Sequence, residues 1–273
     1  MSLDTLNDFI NETFTSNPTG NGARFEIDNN LDIDIEVLRM SSSGSVADAI
    51  TIKRNKDKSV DGVRQGEVFV VRSKDTLAWI RSITIAAQDV GTRAKVRSSD
   101  LIALDSASFD RPRVISKVPQ GPTLVMVGLG ETNNRTVTES LFWNQTADVF
   151  VPASTTVTET LSETNGTTLT ETESMELAVQ LGVEFTAEAD LFFGKVSTTL
   201  STTFTTSTSF TRSFAVSKST TRSVATPFTN ATSKNVVMFR YQLVQRVSVF
   251  KDGDLKSTLE NALPVFKLET VTQ

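Results

Sequence analysis

The sequence predicts a mostly β protein of elongated shape, with long twisted antiparallel strands, an amphipathic insertion hairpin and a small β-rich N-terminal head. Three observations predict this fold class. Residues 175–185 place an apolar side chain at every odd position, which is the period of a strand. Residues 154–233 contain 35 Ser or Thr and a single Pro, and Thr favours strands over disordered chain. Residues 23–107 consist of short apolar runs separated by Asn, Asp and Gly turn signals.

The head begins with apolar residues at helical spacing and continues with short strands. Leu3, Leu6, Phe9, Ile10 and Phe14 predict a helix over residues 3–14. Strands are then predicted at Arg24–Val37, Ala49–Lys53, Glu67–Arg72, Thr76–Ala87 and Arg93–Val96. The stretch Arg111–Pro122 contains three Pro and one Gly, which is typical of a stiff connection. We therefore expect a receptor-binding head at 1–110 and a second module at 111–273.

The alternating run supplies the first arm of the predicted hairpin. Its apolar face consists of Met175, Leu177, Val179, Leu181, Val183 and Phe185. A strand that crosses a bilayer needs roughly 9–11 residues with one apolar face. The run therefore has the period and the length of a membrane-crossing strand.

A second arm fits if the chain turns back with paired residue numbers that sum to about 381. The apolar face then continues through Val196, Leu200 and Phe204. The same register pairs Glu163 with Lys218, and Glu159 with Arg222. Residues 137–193 contain no Lys or Arg, and residues 192–249 contain no Asp or Glu, so opposite charges meet across the arms. We expect one hairpin over about residues 157–224, with its tip at 186–195.

The other face and the tip of this hairpin have predicted roles as well. The pore lumen is expected to be lined by Glu176, Gln180, Glu184, Ser197, Thr199, Ser201 and Thr203. The tip carries Leu191, Phe192 and Phe193, which could anchor on the far side of the bilayer. A lone hairpin in lipid leaves its edge N–H and C=O groups unpaired, so several copies must close a barrel. The two Glu positions predict a cation-preferring pore.

Composition excludes several classes of protein. The chain has no Cys and no His, which removes disulfides, Cys-based zinc sites and Ser–His or Cys–His triads. With a net charge of −5, nucleic acid is not an expected partner. The first residues lack a classical signal peptide, and no apolar run approaches the roughly 20 residues of a transmembrane helix. We expect no enzymatic activity, no cofactor and no metal site.

One acidic segment is dense enough to be a candidate catalytic or calcium-binding set. It contains Asp28, Asp32, Asp34 and Glu36. These residues alternate with apolar ones, which favours a half-buried strand with an acidic outer face.

The module resembles a known family of proteins. The tetrapeptide 143–146, Trp-Asn-Gln-Thr, opens the Ser/Thr-rich strands, the alternating hairpin interrupts them, and the apolar strand Asn235–Phe250 closes them. This pattern resembles the aerolysin-like β-pore-forming toxins, in particular the epsilon-toxin and mosquitocidal branch, from about Pro122 to the C-terminus. The resemblance implies a secreted or released water-soluble monomer that binds a protein, glycan or lipid receptor on a target-cell membrane. It also implies a homo-oligomer, one inserted hairpin per subunit and cytolysis, with insects among the candidate targets.

Three other interpretations stay open from the sequence. A non-pore-forming glycan-binding or adhesive β-protein would use the hairpin as an ordinary sheet edge. Leu177, Leu181 and Phe185 also fit a helix over Glu173–Phe193 in an α+β protein. An enzyme based on paired carboxylates is the third.

Overall fold

The computed structural model describes residues 14–101, 124–207 and 214–272, without the side chains of 205–207. Its strands are β1 (Thr19–Asn29), β2 (Ile35–Met40), β3 (Val46–Ile52), β4 (Lys56–Gln65), β5 (Val68–Ser73), β6 (Trp79–Thr84), β7 (Arg93–Val96), β8 (Val125–Thr132), β9 (Arg135–Val151), β10 (Thr156–Asn165), β11 (Thr220–Thr229), β12 (Val236–Lys251) and β13 (Asp254–Thr272). Its helices are α1 (Glu171–Leu181) and α2 (Ala189–Ser207), with short 3₁₀ turns at Ala87–Asp89 and Ser98–Asp100. The predicted mostly β, elongated fold class is confirmed.

The strands of the described residues form three sheets. The largest has eight strands in the order β13-β12-β9-β8-β6-β5-β2-β3, a second has the order β4-β1-β7, and β10 pairs with β11. In the large sheet β12 pairs antiparallel with both β9 and β13 along its length. The 19 residues of β13 make this strand about 60 Å long. The long strands at one side of the sheet therefore give the molecule its elongated form.

The largest core joins the N-terminal strands to the long ones. Phe25, Ile27 and Phe69 pack in the same buried cluster as Phe142 and Phe250. The strands β6 and β8 connect the two parts of the sheet through one parallel pair, Trp79 with Val125. The predicted boundary near residue 110, the N-terminal helix over 3–14 and the stretch Arg111–Pro122 lie almost entirely outside the described residues.

Most predicted strands of the head correspond to β3, β5, β6 and β7, but the single strand predicted at Arg24–Val37 is wrong. The structure divides it into β1 and β2. The Asn29 side chain donates a hydrogen bond to the Ile33 carbonyl at 2.8 Å and accepts one from the Leu31 N–H at 3.1 Å, which closes a turn. Asp32 and Asp34 lie in this turn and not on the outer face of one strand.

Candidate functional site

The predicted hairpin corresponds to two different structures. Its outer arms are β10 and β11, ten residues each, which pair antiparallel without interruption and are called the ribbon below. Residues 166–219, called the insertion, connect them and carry α1 and α2 in place of two strands. The strand predictions for 175–185 and 196–204 are therefore wrong in this structure, and the helical alternative is the correct one for 175–181.

Local signals explain why α1 is a helix. The Thr170 hydroxyl accepts a hydrogen bond from the Glu173 N–H at 3.2 Å, and the Glu173 carboxylate accepts one from the Thr170 N–H at 2.8 Å, forming a capping box. Gly182 ends the helix in the left-handed conformation at φ +71°. Leu177 and Leu181 are four residues apart, so they share a helical face as well as a strand face, and both are buried.

The helix α2 packs on the large sheet in the same way. Phe192, Phe193, Val196, Leu200 and Phe204 are buried in one cluster with the sheet residues Val137, Val247, Val249 and Leu259. Gly128 of β8 makes room for Phe204, because a Cβ atom at this position would lie 3.0 Å from Phe204 Cδ1. The Phe204 ring also stacks on Phe214 at a centroid distance of 5.0 Å. Below, the seat means the surface of the large sheet that packs against α1 and α2; it includes Val137, Val247, Val249 and Leu259.

The structure does not place the predicted lipid-facing residues on one face. Five are buried against the seat: Leu177, Leu181, Val196, Leu200 and Phe204. Val183 and Phe185 are partly buried at its border. Met175 and Val179 are 48% and 67% exposed. In the tip, Phe192 and Phe193 are buried and Leu191 is 55% exposed.

The predicted lumen residues are likewise divided. Glu176 and Glu184 are exposed, and Glu184 accepts a hydrogen bond from Lys195 at 2.9 Å. Gln180 accepts one from Arg135 at 2.9 Å. The four predicted lumen residues of α2 are half-buried or buried: Ser197, Thr199, Ser201 and Thr203. Neither the predicted lipid-facing residues nor the predicted lumen residues come together at a single site in this structure.

A chain of buried polar side chains holds both ends of the insertion on the sheet. The Asn261 amide donates to the Ala215 carbonyl at 3.2 Å, after α2, and its oxygen accepts from Thr167 at 3.4 Å, before α1. Asn261 also contacts Gln245 at 3.3 Å, and Gln245 donates to the buried Glu139 at 2.9 Å. Sequence reasoning missed this network because its members come from four separate segments.

The ribbon is fastened to β12 by a buried ion cluster. Glu163 of β10 is 4% exposed and accepts hydrogen bonds from Arg222 of β11 at 2.9 and 3.1 Å. Arg240 of β12, 5% exposed, pairs with the other carboxylate oxygen, and its guanidinium lies 3.9 Å from the centre of the Phe266 ring. We call Glu163, Arg222 and Arg240 the triad.

The predicted register of the ribbon is wrong, as the pairing within the triad shows. Glu163 pairs with Arg222 and not with Lys218, so the pairing is shifted by four residues from the prediction. The prediction assumed that both strands continue through the insertion to a tip at 186–195. Because helices replace these strands, the ribbon register is free to follow the ion pair.

The border between ribbon and insertion is a tight crossing of three segments. Gly166 adopts φ +91°, and a Cβ atom there would lie 2.8 Å from the Lys218 carbonyl oxygen. Its backbone exchanges two hydrogen bonds with Ala262 of β13, at 2.8 and 3.0 Å. Only glycine fits this position, so the insertion begins at a defined point.

No protein-family model matches the sequence, and no curated protein matches it at a significant level. Among solved structures, the crystal structure of Cry35Ab1 is similar with a TM-score of 0.36 and 9% sequence identity, over 78% of this chain and 71% of that chain. A TM-score this low does not establish a common architecture, so function has to be inferred from the residues of this chain. No helix in the described part of the chain is both long and apolar enough to span a bilayer.

Proposed function

We propose that this protein is a membrane pore former and that the structure is its water-soluble state. The insertion leaves the seat on a target-cell membrane and re-forms as two strands that extend the ribbon. Hairpins from several copies then close a transmembrane β-barrel, because only a closed barrel pairs every backbone group within lipid. Binding to a surface receptor precedes this step.

The observation that carries the proposal is the exposure of Met175 and Val179. The buried face of α1 accounts for Leu177, Ala178 and Leu181, whereas these two large apolar residues lie in solvent. In a strand, all six odd positions from 175 to 185 share one face. The pattern of the sequence therefore fits a second conformation better than it fits the helix.

The composition of α2 supports the same conversion. From Lys195 to Ser207 it contains six Thr and three Ser, which are poor helix formers, and Thr is a good strand former. Three of the hydroxyls donate to the carbonyl four residues earlier, at 2.7–3.0 Å: Thr198, Thr202 and Thr203. Such bonds satisfy the hydroxyls but slightly weaken a helix. Packing on the seat, and not helix propensity, holds α2 in this form.

Energetics make insertion dependent on assembly. The five residues buried on the seat would exchange one apolar environment for another in lipid, which gains little free energy. Only Met175 and Val179 gain large burial, up to roughly 1.5–3 kcal/mol each. A single copy therefore has a small driving force, and the backbone pairing between neighbouring hairpins must supply the rest.

A single-cysteine scan tests the conversion, since the native chain contains no Cys. An environment-sensitive fluorophore would be attached at each position from 175 to 185 and followed during dye release from target cells or from vesicles of their lipids. We expect odd positions to enter an apolar environment and even positions to stay in water. Val179→Cys and Glu176→Cys form the matched pair, because both side chains are exposed on α1 beforehand.

The alternatives give different results in this scan. If residues 175–185 lay on the membrane as a helix, the fluorescence change would repeat every 3.6 residues and not every 2. This result would contradict the proposed strand. Binding to cells without dye release and without any fluorescence change would overturn pore formation and favour the glycan-binding or adhesive protein.

A further inference from the structure

Three carboxylates meet on one face of the three-stranded sheet, far along the chain from the insertion. Glu26 and Asp28 are two residues apart on β1, so their side chains share a face, and Asp57 of β4 is paired directly with Asp28. One oxygen from each of the three lies within 4.8 Å of the others. Directly opposed like charges destabilise an antiparallel pair, so this arrangement needs a compensating charge.

Asp28 is the unusual member of the group. It is 8% exposed, and its Oδ1 atom is buried without a hydrogen-bond partner in the described part of the chain. A buried carboxylate oxygen without a donor is costly, because desolvation is not offset. The cross-strand pairing turns the Asp28 side chain towards the face that carries Asp57.

The neighbouring basic residues compensate only part of this charge. Arg93 of β7 lies 2.5 Å from Glu26 and 3.2 Å from Asp28 Oδ2, which leaves Asp28 Oδ1 unpaired. Lys95 is the β7 neighbour of Asp28, but it forms no ion pair within 4 Å with the described residues. Among the described residues, no basic side chain forms an ion pair with the Asp57 carboxylate. The Arg93 guanidinium therefore neutralises only part of the charge of Glu26 and Asp28, and it does not pair with Asp57.

We propose that Asp28 Oδ1 and the Asp57 carboxylate, with Glu26 beside them, bind a hard divalent cation, and that Ca²⁺ is the physiological choice. All candidate ligands are oxygen atoms, which suit Ca²⁺, and a partly exposed site leaves room for water ligands. An affinity on the order of 10⁻⁴–10⁻³ M is expected for such a site. The sequence predicted no metal site because Asp28 and Asp57 meet only through strand register. This inference does not depend on the proposed pore.

Thermal unfolding of the full chain in EGTA and in millimolar CaCl₂ tests the site, with isothermal titration for stoichiometry. The wild type should bind one Ca²⁺ and gain a few degrees in Tm, since a ligand that binds only the folded state stabilises it. Asp57→Asn should lose this response and, in EGTA, should unfold at the same temperature as wild type or higher, because one repulsion is removed. Asp61→Asn, an exposed acid on the same strand, is the control and should respond like wild type.

Two results would overturn the proposal. One is a wild type whose Tm does not change with CaCl₂ and that shows no saturable heat of binding. The other is an equal Ca²⁺ response in wild type and Asp57→Asn, which would locate the binding elsewhere in the protein.

Discussion

Single residues near the end of β8 make stability depend on pH. The Glu131 carboxyl faces that of Asp32, and hydrogen bonding and charge repulsion between them raise the pKa of Glu131 above its ordinary value. The folded state thus holds a proton more tightly than the unfolded chain. Stability from this pair is present at acidic pH and is lost as the pH rises through the raised pKa of Glu131.

We therefore expect Glu131→Gln to stabilise the protein near pH 7, by no more than about 1 kcal/mol because Glu131 is exposed and Asp32 is only half-buried. Near pH 4, below the raised pKa of Glu131, the difference from wild type should disappear, because Glu131 then carries its proton and does not repel Asp32. Thermal unfolding across this pH range measures the effect, with Glu159→Gln on the exposed side of β10 as control. A difference that is the same at both pH values would contradict the assignment.

Within the triad, the three residues should contribute unequally. Replacing Glu163 by Gln leaves the Arg240 guanidinium buried without its counter-charge, which is expected to cost about 3–5 kcal/mol of unfolding free energy. Replacing Arg222 by Gln should cost about 1 kcal/mol or less, because the Arg222 side chain is 70% exposed. Urea unfolding of both variants compares them. Equal losses would mean that Arg240 is not stabilised by Glu163.

At the scale of the element, α2 is a helix whose sequence prefers a strand. Thr198 and Thr202 are exposed on it, so replacing both by Ala should stabilise the helical form by about 1 kcal/mol in total. If conversion to strands precedes pore formation, the double variant should also release dye more slowly than wild type. Thr158→Ala with Thr160→Ala, two exposed positions of the ribbon, is the matched control. Faster or unchanged release by the α2 variant, at normal binding, would argue against conversion.

The same elements show what the sequence could predict. The ribbon strands, β12 and the head strands β3, β5, β6 and β7 follow from alternation and turn signals, whereas the division into β1 and β2, the strand β4 and the ribbon register do not. The insertion could not be assigned from pattern alone, because apolar residues at 177, 181 and 185, and at 196, 200 and 204, satisfy both periods. Two signals in the sequence favour the helix: the capping box that begins at Thr170, and Gly182 at the C-terminal end. The seat, the triad and the polar network depend on long-range contacts, which no local pattern reports.

For the whole molecule, charge on the converted hairpin should decide which ions pass. Glu176 and Glu184 fall on the lumen face in the proposed pore, and their own arm, within residues 137–193, contains no basic side chain. Glu176→Gln combined with Glu184→Gln should reduce the preference for cations, measured as the reversal potential in a salt gradient across a planar bilayer. The control is Glu171→Gln combined with Glu173→Gln, because both residues precede the apolar run. An unchanged reversal potential in the first variant would place these Glu residues outside the lumen.

The pairing of β10 with β11 has a geometric consequence for such a pore. These two strands form a sheet of their own, and both outer edges of that sheet lack a strand partner in the described part of the chain. Each copy would therefore bring two strands to a ring, and the total is even for any number of copies. Because neighbouring strands lie about 4.8 Å apart, gaining or losing one copy changes the circumference by about 10 Å before strand tilt. Pore widths should thus fall into discrete classes, and single-channel conductance histograms would resolve them as separate peaks.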